Sequence, residues 1–125
     1  MRPKSPTLTS HELELMKIVW RHNDGVTVRE VYEELRGRRP VAYTTVMTSL
    51  KTLEQKGHLK ATQQDRAYLY RPARPKQQVM REMVRDFVNR VFNGSGQPLV
   101  LHMLEADQIS ESELREITRM LGKKR

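Results

Sequence analysis

The 125-residue sequence contains no cysteine. That excludes a disulfide scaffold, a thiolate metal site, a cysteine nucleophile and a thiol redox sensor together. Long apolar runs are missing as well. Leu99-Val100-Leu101 is typical of the apolar runs present, far short of the roughly 20 residues of a membrane helix. The opening Met1-Arg2-Pro3-Lys4-Ser5-Pro6 leads into a charged helical pattern and lacks the apolar stretch of a secretory signal. No HExxH, GxSxG or phosphate-loop glycine pattern occurs, and His11, His22, His58 and His102 are scattered over different elements. Catalysis, a metal centre and a cofactor are therefore not expected. There is no internal repeat and no low-complexity tract. These absences leave a soluble cytoplasmic protein without membrane insertion.

What is abundant is positive charge. Lys and Arg number 23 against 15 Asp and Glu, a net charge of +8. Such an excess favours a polyanionic partner. Apolar residues make up 37% of the chain, lean but enough for small cores.

Thr9-Ser10-His11-Glu12 fits a capping box, and Leu13, Met16 and Trp20 follow at helical spacing, predicting a helix over about 10–22. Asn23-Asp24-Gly25 ends it, and Val26-Thr27 leaves room for a very short strand. Thr27-Val28-Arg29-Glu30 is a second capping box, opening a helix over about 28–36. Gly37-Arg38-Arg39-Pro40 is a basic turn that a helix cannot cross. A third helix spans about 42–56, with Val46, Leu50 and Leu53 as its buried stripe and Gly57 at the left-handed position after its end. Leu59–Thr62 and Ala67–Tyr70 read as strands joined by Gln63-Gln64-Asp65-Arg66. Pro72 and Pro75 mark a boundary. Three further helices follow, over about 76–92, 98–106 and after the capping box Ser110-Glu111-Ser112-Glu113. The fold class is mainly α with a small β-hairpin. It comprises a winged helix-turn-helix domain over 1–72 and a helical domain of three helices over 73–125.

The charge follows this division. Between Arg36 and Arg71 eight cations face two acids, leaving +6, whereas residues 1–35 carry −1 and residues 73–125 carry +3. The excess falls on the basic turn with Arg38 and Arg39, the third helix and the hairpin, the elements that meet a duplex in a winged helix. Tyr43, Thr44, Thr45, Met47 and Thr48 lie off the apolar stripe near the helix N-terminus, where threonine can hydrogen-bond a base or touch a thymine methyl. Lys51 and Thr52 lie one turn further on, and Arg66 at the hairpin tip suits a phosphate or minor-groove contact. Plainer readings stand beside these: a solvated basic face, Thr44 or Thr45 as a helix cap, Arg66 as a free surface residue. An RNA-binding or protein-docking winged helix is a further alternative. Polarity on the third helix, supplied by Thr45 and Thr48, separates it from a DNA reader.

The C-terminal helices each carry an apolar face, with Met83, Phe87 and Val91 on the first, Leu101 and Leu104 on the second, and Leu114, Ile117 and Leu121 on the third. So short a segment cannot readily bury three such faces alone. Packing against the same segment of a second chain solves this and yields a two-fold homodimer; packing back onto the first helix is the alternative.

Four stretches resemble the penicillinase-repressor (BlaI/MecI/CopY) family. They are Leu13-Glu14-Leu15-Met16-Lys17-Ile18-Val19-Trp20, Val26-Thr27-Val28-Arg29-Glu30-Val31, Ala42-Tyr43-Thr44-Thr45-Val46-Met47-Thr48 and Leu53-Glu54-Gln55-Lys56-Gly57. Tyr68-Leu69-Tyr70-Arg71-Pro72 is similar to that family's second wing strand, and the region from Phe92 to Gln108 more loosely to its dimerisation region. The resemblance implies a dimeric repressor on a palindromic double-stranded operator, with beta-lactam resistance as the family's named setting. It also implies induction by a membrane sensor protease that cuts at a bond aligning with His102–Met103. Two departures stand out: Thr52 replaces a frequently basic residue, and the cysteine metal site of the copper-responsive branch is missing.

Overall fold

The computed structural model describes residues 7–122. The Met1–Pro6 segment, read above as no secretory leader, and the cations of Lys123–Arg125 lie outside the described residues. Eight elements follow in the order α1 (Ser10–Trp20), α2 (Val28–Arg36), α3 (Tyr43–Gln55), β1 (Leu59–Gln64), β2 (Ala67–Pro72), α4 (Lys76–Phe92), α5 (Gln97–Glu105) and α6 (Glu111–Gly122).

The capping boxes start three of these helices. Thr9 and Glu12 exchange side-chain and backbone bonds at α1, Thr27 and Glu30 do so at α2, and Ser110 and Glu113 at α6. At α3 the expectation of a threonine cap fails. Its N-cap is Ala42, with no side-chain bond, and Thr44 and Thr45 both stand exposed in the first turn. Ala42 is already extended and the helix begins at Tyr43, so the cap falls two residues before Thr44. Gly57 takes φ +88°, the left-handed turn that ends α3 without a Cβ penalty.

β1 and β2 pair antiparallel from Leu59 opposite Pro72 to Gln64 opposite Ala67. Both strands run two residues longer than the sequence suggests, so only Asp65 and Arg66 form the tip. Val26 adds the short third strand as a bridge to Tyr70, with N–O distances of 3.0 and 2.8 Å.

Two compact units result, divided within α4 after Met83. The first is built on a core of Leu15, Met16, Ile18, Val19, Val31, Leu35, Val46, Leu50 and Leu53, all fully buried. Val79 is buried in the same core and Met83 packs against it. The two prolines interrupt the backbone, but packing continues through the first two turns of α4. Met83, expected on a dimer face, thus contacts the winged-helix core. The second unit contains no fully buried side chain in α5 or α6. Among the described residues no helix is long and apolar enough to cross a membrane.

Candidate nucleic-acid interface

α3 advances 100° per residue, so burying Val46, Leu50 and Leu53 turns Thr44, Thr48, Lys51 and Gln55 outward. Two flanking ridges follow. Tyr43, Met47 and Lys51 border the side towards the hairpin, while Thr45, Ser49 and Lys56 border the side towards α1.

Intramolecular pairing narrows the basic face that the residue count suggests. Lys56 gives its ammonium to both carboxylate oxygens of buried Glu12, at 2.9 and 2.8 Å. Arg39 holds Glu14 at 2.7 Å, and Arg38 reaches Glu34 at 3.3 Å. Arg71 donates to the Thr62 hydroxyl and to the carbonyl of Asp24. Among the described residues, Lys51, Lys60 and Arg66 make no ion pair. The Thr52 hydroxyl donates to the Thr48 carbonyl at 3.0 Å, and the residue is half-buried, so Thr52 offers a base less than exposed Thr48 does. Counting charges along the sequence cannot see the pairings of Arg39 and Lys56, because their partners lie 25 and 44 residues away.

One polar chain, unforeseen in the sequence, ties three elements at the α3 flank. Arg39 contacts Nδ1 of His11 at 2.8 Å, and His11 Nε2 lies 2.8 Å from the Ser49 hydroxyl. A guanidinium only donates, so Nδ1 accepts and Nε2 carries the hydrogen. The Arg39 guanidinium beside Glu14 holds that carboxyl below its usual value, outweighing partial desolvation. His11→Ala removes both contacts at once, so the amide resonances of Ser49 and Arg39 are expected to shift together in that variant.

In the second unit Phe87, Val91, Leu101, Ile117 and Leu121 are exposed, whereas Leu104 and Leu114 are half-buried. His102 is exposed and Met103 half-buried, both in the middle of α5.

Three helices, a hairpin wing and an outward α3 face of hydroxyls and a lysine define a winged-helix DNA-binding protein. The family model described as penicillinase repressor matches residues 8–123, and the chain belongs to that family. It is 32% identical to the penicillinase repressor of Bacillus licheniformis, over 94% of this chain and 91% of that protein. It is 25% identical to the methicillin resistance regulatory protein MecI of Mammaliicoccus sciuri, over 99% of this chain and 100% of the relative. Among solved structures, the monomeric form of Bacillus licheniformis BlaI in complex with the blaP half-operator aligns with a TM-score of 0.51 and 31% identity. The alignment covers 59% of this chain and 89% of that one.

Proposed function

We propose that the chain represses transcription as a cytoplasmic homodimer, each protomer placing α3 in the major groove of one half of a palindromic operator. The observation that carries this reading is the outward face of α3, where Thr44, Thr48 and Lys51 stand free of the core and Arg66 extends from the hairpin. Thr44 and Thr48 contact base edges, with Tyr43 and Thr45 beside them. Lys51 and Arg66 contact phosphates, and Arg38 and Arg39 support the turn that leads into α3. The relative solved in complex with a half-operator supports operator DNA as the partner. The exposed apolar residues Phe87, Val91, Leu101, Ile117 and Leu121 supply the dimer contact, with Leu104 and Leu114 behind them.

Induction in this reading is proteolysis at His102–Met103 by a membrane sensor protease. α5 has nine residues and no fully buried side chain, and a helix that short is marginal alone. Local unwinding can therefore present the bond to a protease.

Lys51, Lys60 and Arg66, which make no ion pair among the described residues, agree with about three to five phosphate contacts per protomer. The logarithmic salt slope of dimer binding is accordingly expected at roughly −5 to −9. In fluorescence anisotropy, Lys51→Gln and Arg66→Gln should each weaken all duplexes alike and flatten that slope by about 1, whereas Thr48→Ala should relax base choice. Genomic footprinting supplies the operator. Equal affinity for that operator and a scrambled duplex at physiological salt would contradict the reading.

A further inference from the structure

Between α3 and the hairpin lies an open groove of about 720 Å³, within the volume range of small-molecule pockets. Its α3 wall is the ridge Tyr43, Met47 and Lys51. Its other wall comes from β2, where alternation places Tyr68 on the same strand face as Tyr70. Arg66 from the tip and Arg29 from the first turn of α2 complete the lining. Tyr43, Met47 and Tyr68 are 38%, 44% and 55% exposed, so aromatic and thioether surface faces the groove. The residues lining the groove include no carboxylate and three cations; Arg29 pairs with Glu33 at 3.5 Å, while Lys51 and Arg66 make no ion pair among the described residues.

Apolar and aromatic walls hold a flat apolar body, and converging cations hold an acid attached to it. We propose that this groove is a binding site for a small aromatic anion, whose occupancy excludes DNA from the recognition helix. The exclusion rests on the DNA-binding reading above, since Thr48 and Lys51 serve both ligands; the site itself does not. A nucleotide of DNA shares the chemistry of a flat body with an anion, so the test must separate the free acid from the duplex.

The probe is 1-anilinonaphthalene-8-sulfonate on the full chain, paired with N-phenyl-1-naphthylamine, which lacks the sulfonate. Tyr68→Ala should weaken binding of both dyes about three- to tenfold, the worth of one aromatic contact. Lys51→Gln and Arg66→Gln should weaken the sulfonate and leave the neutral dye unchanged. Unaltered thermal unfolding of each variant confirms that folding is not the cause. With the sulfonate at ten times its own Kd, affinity for a labelled duplex should fall about tenfold, and 2-naphthoate at millimolar concentration should displace the dye. Dye binding indifferent to all three substitutions overturns the proposal, because the dye then sits on the C-terminal apolar face. Dye and duplex bound together, or displacement by duplex but not by 2-naphthoate, overturns it too. If instead no duplex binds while the dye still responds to Tyr68→Ala and Lys51→Gln, the DNA-binding reading fails and the ligand site stands.

Discussion

A chain ending at His102 is expected to be monomeric and to bind a two-half-site operator about a hundredfold more weakly than the full chain. The cut removes Leu114, Ile117, Met120 and Leu121, of which the last three are 44%, 55% and 59% exposed in a single chain. Each aliphatic side chain buried against a partner contributes roughly 1.5–3 kcal/mol. Losing several from both protomers therefore removes most of what can hold two chains together. The core of the first unit ends at Val79 and is untouched, so every DNA-contacting residue stays in place. What disappears is the linkage of two half-sites, which is worth about 10²–10⁴ in avidity without any new contact. Sedimentation gives the oligomeric state, and anisotropy on duplexes with one or two half-sites gives the coupling. Affinity for a single half-site should hardly change. A shortened chain that dimerises and binds like the full one would place the switch outside α6 and the end of α5.

The helices of both units were legible because capping and periodicity are local signals. Thr9 with Glu12, Thr27 with Glu30 and Ser110 with Glu113 are three residues apart, and each pair closes as its spacing implies. The outward residues of α3 were legible for the same reason, since Val46, Leu50 and Leu53 fix the opposite face. Pairing across elements was not. Nothing in the spacing of Glu12 and Lys56, or of His11, Arg39 and Ser49, indicates that they meet, because the fold alone brings them together. The same limit hid the groove, whose walls are a helical ridge and an alternating strand each visible by itself. Where the first unit ends was obscured because proline marks a break in the backbone, whereas Val79 and Met83 extend the packing beyond it.

Among polar substitutions, loss of the pair of buried Glu12 and half-buried Lys56 carries a large expected effect on stability. Glu12 is 6% exposed and serves two elements, capping α1 through the Thr9 backbone N–H and fixing the end of α3 through Lys56. Removing one member of a buried pair leaves the other as an uncompensated charge, a loss of about 3 kcal/mol. Glu12→Ala also deletes half of a capping box, for about 1 kcal/mol more. Against the 5–15 kcal/mol that typically holds a domain folded, that is a large fraction. Burial by itself pushes the Glu12 carboxyl up, yet the Lys56 ammonium and the bonds from Thr9 outweigh it and hold the group below its ordinary 4.5. A carboxyl whose pKa is lower in the folded state contributes stability that is fully present above the unfolded value and lost as pH falls through the folded one. Urea unfolding of the full chain should therefore show this stabilisation intact at neutral pH and declining below about pH 4.5. Lys56→Met should destabilise at neutral pH, where it strands a buried carboxylate. Adding Glu12→Gln to it should restore much of the loss and remove this part of the acid dependence. Because the pair anchors the end of α3, Glu12→Ala should also weaken operator binding under conditions where the chain is still folded. A Glu12→Ala variant within about 0.5 kcal/mol of the full chain at neutral pH would show the pair to be no more than a surface contact.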